Sequence, residues 1–255
     1  MTQSPATNQS AENMWRVEAF RLSAFFQDAH QSDSSNWWDI VVHEPPEVRN
    51  IQPKVKVQQE EGNYAGGRLI LNAQPLRADW LFIPAFDPQV GGPDLDQAPA
   101  YNGTLIPFDK VAERWLLASP PLSRLAFGAV LNVPVKSVSD GYRKLGGYLP
   151  AVTLDSDNSR DFLYQINRSR RSTRVDGLTI NRLSKWAVAT AIFGQVPLTL
   201  PLQEHFTSQS FWAHLELDIN TAPEYQAHLS PVQWRAIFSE LVELATEVTI
   251  KGDIP

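Results

Sequence analysis

Basic side chains crowd one stretch of this 255-residue chain. Seven of its 22 lysines and arginines (Arg160, Arg168, Arg170, Arg171, Arg174, Arg182 and Lys185) fall within residues 159–193, where only Asp161 and Asp176 oppose them. Cations gathered this way offer a local site for phosphate or nucleic acid, held by salt-sensitive contacts. The plainer reading is a solvated hairpin tip whose guanidiniums pair with the chain's surplus acids. Arg168, Arg170, Arg171, Arg174, Arg182 and Lys185 are the candidate binding residues.

A second group lies in FWAHLELDIN. Two-residue alternation puts His214, Glu216 and Asp218 on one strand face and Phe211, Ala213, Leu215, Leu217 and Ile219 on the other. A histidine followed by two carboxylates on one face could do acid–base or metal chemistry. The alternatives are the wet side of an amphipathic strand, or counter-ions for Arg168 or Arg182. Trp186 and Trp212 flank both groups, where they could stack bases or serve in core packing.

Other chemistries are missing. The chain has no cysteine, which removes disulfides, thiolate metal sites and a cysteine nucleophile. It carries no G-x-S-x-G, H-E-x-x-H, G-x-G-x-x-G or Walker A motif. In GYRKLGG, Lys144 is misplaced for a phosphate loop and no Ser or Thr follows. DSDNSRD, residues 155–161, starts like a calcium loop, but Arg160 stands where that loop needs glycine; an Asx turn is expected instead. No catalytic residue, metal ligand or cofactor is assigned.

The elements that would position these groups are mostly strands. Phe162, Tyr164 and Ile166 alternate with Leu163, Gln165 and Asn167, and Asp176-Gly177 is a hairpin turn signal, so the stretch 159–193 reads as a β-hairpin. A two-residue turn would set Arg171 opposite Arg182 and Arg168 opposite Lys185. Like charges so placed destabilise a ladder, which calls for a longer loop or intervening carboxylates. WRVEAFRLSAFF is an opening strand, WWDIVV a short apolar run, and RLILNAQPLRADWLFIP two strands about Pro75, with EEGNYAGG breaking the chain before them. PFDKVAERWLLAS is a helix starting at Pro107; LSRLAFGAVLNVPV is a buried strand, and Ser137 with Asp140 caps a short helix. Ser230-Pro231 and Gln233 open an amphipathic C-terminal helix whose apolar stripe is Trp234, Ile237, Phe238, Leu241, Ala245 and Val248.

The fold class is therefore α+β: mostly antiparallel sheet with a few packed helices and a loose two-fold echo of strands followed by a helix. Residues 1–13 read as a disordered tail and 14–255 as one domain, with possible halves 14–135 and 151–255. Residues 85–101 form an acidic Pro/Gly loop carrying Asp87, Asp94 and Asp96. A net charge of −6 argues against general affinity for polyanions. The N-terminus lacks a basic-then-apolar leader, and no run reaches about 18 apolar residues; a cytoplasmic protein without membrane association is expected.

The order GGRLILNAQPLRADW, PFDKVAERWLLAS, RLAFGAVLNVPV, FWAHLELDIN, with Arg124 and Asn132, resembles a sporadically distributed bacterial family of about this length and no assigned activity. That resemblance implies mobile-element or phage-defence settings and supplies no catalytic motif. The expected function is a non-catalytic binding protein, a subunit or accessory factor of a bacterial multi-protein system with a protein partner. The alternatives are nucleic-acid or phosphate-ligand binding through residues 168–185, and a hydrolase built on carboxylates and His214.

Overall fold

The computed structural model describes residues 15–28, 34–85, 98–193 and 208–255. The tail 1–13, most of the acidic loop, His30 and His205 lie outside the described residues. Strand β1 (Arg16–Phe26) is followed by a 3-10 turn (Ser34–Asn36) and helix α1 (Trp37–Val42). A meander follows, β2 (Val48–Gln52), β3 (Val57–Tyr64), β4 (Gly67–Gln74) and β5 (Arg77–Pro84), then helix α2 (Tyr101–Ala118). The chain continues through β6 (Leu122–Val135), α3 (Val138–Gly146), β7 (Leu163–Asn167), β8 (Arg170–Arg171), β9 (Thr179–Phe193), β10 (Ser208–Thr221) and α4 (Pro231–Lys251).

The strands form one antiparallel sheet in the order β2-β3-β4-β5-β1-β6-β10-β9-β7, with β8 beside β9. The expected α+β class is what forms. β1 and β6 pair at the centre, and each also pairs with the strand that precedes a long helix: β5 before α2, and β10 before α4.

Helices cover one face of the sheet, because alternate strand residues on that face are apolar and must leave water. Phe20 of β1 meets Phe108 of α2 with ring centres 5.6 Å apart, and Phe127 of β6 meets Phe238 of α4 at 5.9 Å. Leu125, Ala129 and Leu131 from β6 and Ala213, Leu215 and Ile219 from β10 are buried with them. Trp186, one of the two tryptophans considered for stacking, is fully buried here, stacked on Tyr148 at 5.6 Å.

Caps form where local chemistry called for them. Ser230 and Gln233 close a capping box on α4, and the Ser137 side chain accepts from the Asp140 amide. The Asp155 carboxylate accepts from the amides of Asp157 and Asn158, which makes DSDNSRD an Asx turn.

Two expectations change, and one open stretch gains a structure. Helix α2 begins at Tyr101, six positions before Pro107. The buried Tyr101 amide donates to Trp15 O, and Thr104 Oγ1 donates to Ala100 O; these anchors hold a first turn and a half despite the donor that Pro107 lacks. EEGNYAGG does not break at Glu60: β3 stays extended to Tyr64, and the turn falls at Ala65 and Gly66, with φ of 47° and 76°. WWDIVV is a single helical turn and a half that buries Trp37, Trp38 and Val41.

Candidate functional site

The basic hairpin takes a register that leaves no cation opposite Lys185 or Arg171 but sets Arg168 across from Arg182. Gln165 faces Lys185, Arg170 faces Ile180 and Arg171 faces Thr179. The Arg168 amide donates to Arg182 O, and the Ser172 amide to Leu178 O, so a loop of several residues replaces the two-residue turn. Arg171 therefore does not oppose Arg182, nor Arg168 Lys185. Glu240 of α4, almost fully buried, holds that loop by accepting from Ser172 Oγ and from the Thr173 amide and hydroxyl.

Carboxylates of the C-terminal segment pair with three of the six candidates, Arg168, Arg170 and Arg174. Arg168 grips Asp253 through Nε and Nη2 at 2.8 and 2.9 Å, and Tyr164 Oη donates to the same carboxylate. The Arg168 hydrogen bonds outweigh burial and hold Asp253 below the ordinary aspartate value. Arg170 pairs with Glu247 at 2.7 Å and Arg174 with Glu243 at 3.0 Å. Arg171 donates to Gly177 O.

Arg182 is buried against the C-terminal segment, with Nη2 reaching Ile254 O at 3.4 Å and Nε and Nη1 without partners among the described residues. Burial, then the nearby Arg170, lowers its basicity. Lys185 lies on the other face of the sheet, paired with Glu216 at 2.8 Å. The six candidates are thus not one surface: four fasten the hairpin to α4 and the residues after it.

Glu216 and Asp218, one alternative as counter-ions for Arg168 or Arg182, meet neither; the acids set against the hairpin are Glu240, at Ser172 and Thr173, and Glu243, Glu247 and Asp253, at Arg174, Arg170 and Arg168. The three glutamates recur at spacings of three and four residues on α4, a one-sided acidic row readable in the sequence.

His214, Glu216 and Asp218 do share a face, the one that carries no helix among the described residues. His214 Nδ1 lies 2.8 Å from Asn132 Oδ1, and Nε2 lies 3.1 Å from Glu216 Oε1. Asn132 in turn donates to Glu18 Oε2. Burial works to raise the Glu216 carboxyl, but hydrogen bonds from Lys185 and His214 win and hold it below the ordinary glutamate value. Both ring nitrogens of His214 are occupied by neighbours. Among the described residues no group of three or more His, Asp or Glu side chains is placed to hold a metal.

This face runs across the whole sheet. Leu81, Arg21, Gly128, Asp218 and Leu183 stand in register over β5, β1, β6, β10 and β9. Ala19, Val130, Glu216, Lys185 and Gln165 form the next row. The two rows bound a depression of about 410 Å³ at the sheet centre. Farther along, Phe25 sits between Arg77 and Arg124, each guanidinium 5.2 Å from its ring centre. At the opposite end Trp212 is nearly buried against Ala98, Ala189 and Ala191.

Charges on this face are near balance. Arg16, Arg21, Arg68, Arg77, Arg124 and Lys185 share it with Glu18, Glu47, Glu61, Asp79, Glu216 and Asp218. Arg68 pairs with Glu61 and Arg77 with Asp79, both at 2.7 Å.

No helix among the described residues is long and apolar enough to cross a membrane. No family model, curated protein or solved structure matches the chain. The resemblance to a bacterial family therefore carries no argument beyond the sequence patterns themselves.

Proposed function

We propose that the chain is a non-catalytic binding protein, a subunit or accessory factor of a cytoplasmic bacterial assembly, and that it docks a protein partner on the helix-free face of its sheet. The observation that carries this reading is the composition of that face. Half-buried apolar side chains, Leu81, Val130 and Leu183, alternate with ions of both signs around a central depression. Protein interfaces combine such an apolar centre with polar surroundings. Polyanion binding needs a surplus of cations; among the described residues the charges of this face are near balance, and in the hairpin Arg168, Arg170 and Arg174 are already paired with carboxylates. The hydrolase alternative would rest on His214 and Glu216, which are hydrogen-bonded to each other and to Asn132 and Lys185.

The test is capture from lysate of the native host with the wild-type chain and with Leu183→Arg, using Arg174→Glu on the helix side as the control. The reading expects a stoichiometric protein that Leu183→Arg loses and Arg174→Glu keeps. A partner lost only with Arg174→Glu would move the interface to the hairpin and overturn it.

A further inference from the structure

We infer that the depression is a polarised groove, shaped for a protein segment that carries carboxylates on one flank and amines or guanidiniums on the other; this rests on the docking reading above. The floor is β6, whose side chains here are small: Ala126, Gly128 and Val130. The Arg21 side chain lies beside Gly128, its Cβ and Nε each 3.6 Å from where a Cβ on Gly128 would stand, which is ordinary contact. The Arg21 side chain therefore leans over the floor from β1. Across β6, in the same register, stands Asp218 of β10.

The strands carrying Arg21 and Asp218 flank β6, so their backbones run about 10 Å apart, two strand spacings. Arg21 is exposed and enters no ion pair among the described residues. The Asp218 carboxylate accepts from Asn220 Nδ2 and, among the described residues, pairs with no cation. Of the other charges lining the depression, Lys185 is paired with Glu216. Arg21 and Asp218 are thus the lining charges without an ion-pair partner among the described residues, and they stand on the two strands that flank the small-residue floor.

Both charges are satisfied together by an occupant that presents the opposite signs in mirrored order. A partner of one sign gains at one wall and is repelled at the other. A phosphate backbone would meet Arg21 favourably and then face Asp218 and Glu216. The arrangement therefore selects a protein segment of mixed charge over a nucleic acid.

The experiment reads two probes on four proteins: wild type, Arg21→Glu, Asp218→Lys and Val130→Arg, each checked for an unchanged circular-dichroism spectrum. One probe is nuclease-treated native-host lysate, with captured proteins quantified by mass spectrometry. The other is a labelled single-stranded oligonucleotide. The inference expects each single reversal to cut capture of the same protein about tenfold, and Val130→Arg to abolish it. A photo-crosslinker at Leu183 should mark a segment bearing both acidic and basic residues. If Val130→Arg abolishes capture while both reversals leave it unchanged, docking stands and the polarity is overturned. If none of the three variants lowers capture, the docking reading fails with it. Oligonucleotide retention that rises in Asp218→Lys and falls in Arg21→Glu would assign the groove to nucleic acid and overturn the inference.

Discussion

Asp253 joins the hairpin to the end of the chain through Arg168 and Tyr164, and its position sets a pH dependence. Its carboxyl is held below the ordinary value of 3.8, so its stabilising contribution is present above that pH and is lost as pH falls through the lower folded value. Asp253→Asn is expected to destabilise the protein by about 1.5–3 kcal/mol at neutral pH, the range for hydrogen bonds to a charged group. In urea titrations the difference from wild type should shrink in acid; a difference that does not change with pH would contradict this account. Glu60 has the opposite sign. Its side chain is fully buried, one oxygen meets Arg49, and the other has no partner among the described residues. Burial outweighs the Arg49 hydrogen bond and raises the carboxyl above 4.5. The protonated state is thus favoured by folding, and the associated stability is present below 4.5 and lost as pH rises through the folded value. Glu60→Gln should match wild type in mild acid and exceed it by about 1 kcal/mol at neutral pH. Loss of stability at both pH values would show that the Arg49 pair dominates.

Among the elements, α3 shows how closely a helix can seat on the sheet. A Cβ at Gly141 would stand 2.6 Å from Val188 Cγ2 of β9, so the helix rests there on backbone. Gly141→Ala should cost about 1–3 kcal/mol by overpacking, and Val188→Ala in the same chain should recover part of it; thermal melts of the three variants read this directly. Additive losses in the double variant would mean that the two residues do not bear on each other. Elements with local signatures were legible in the sequence: the Ser230–Gln233 box, the Ser137 cap, the Asp155 turn and the alternation of β6 and β10. Elements decided by distant contacts were not. Tyr101 and Thr104 start α2 ahead of Pro107 because Tyr101 is anchored on Trp15, 86 positions earlier. The hairpin register depends on Glu240, 68 positions beyond Ser172, and nothing local to Asp176-Gly177 announces that carboxylate. The candidate site was legible only in part for the same reason. Alternation placed His214, Glu216 and Asp218 together, but Arg21 and Gly128 join them only through the pairing of β1 with β6 and of β6 with β10.

At the scale of the molecule, the sheet is continuous across β1 and β6, whose ladder runs from Arg16 opposite Asn132 to Phe26 opposite Leu122. Cutting there would expose two long central edges, so the halves are expected to unfold together. Tryptophans lie on both sides of that ladder, Trp38 and Trp80 near one end and Trp186 and Trp234 near the other. Fluorescence and far-ultraviolet circular dichroism should therefore give coincident denaturant midpoints; two separated transitions would mean that the halves hold independently. The same continuity presents the helix-free face as one surface, and the central claim is that a protein partner covers it. Hydroxyl-radical footprinting of the complex captured from the native host tests that most directly. The account predicts protection of Leu81, Val130 and Leu183 together, with Ile106 and Val232 on the helices, both exposed, still reactive. Protection of the helix residues, with the three sheet residues as reactive as in the free chain, would contradict it.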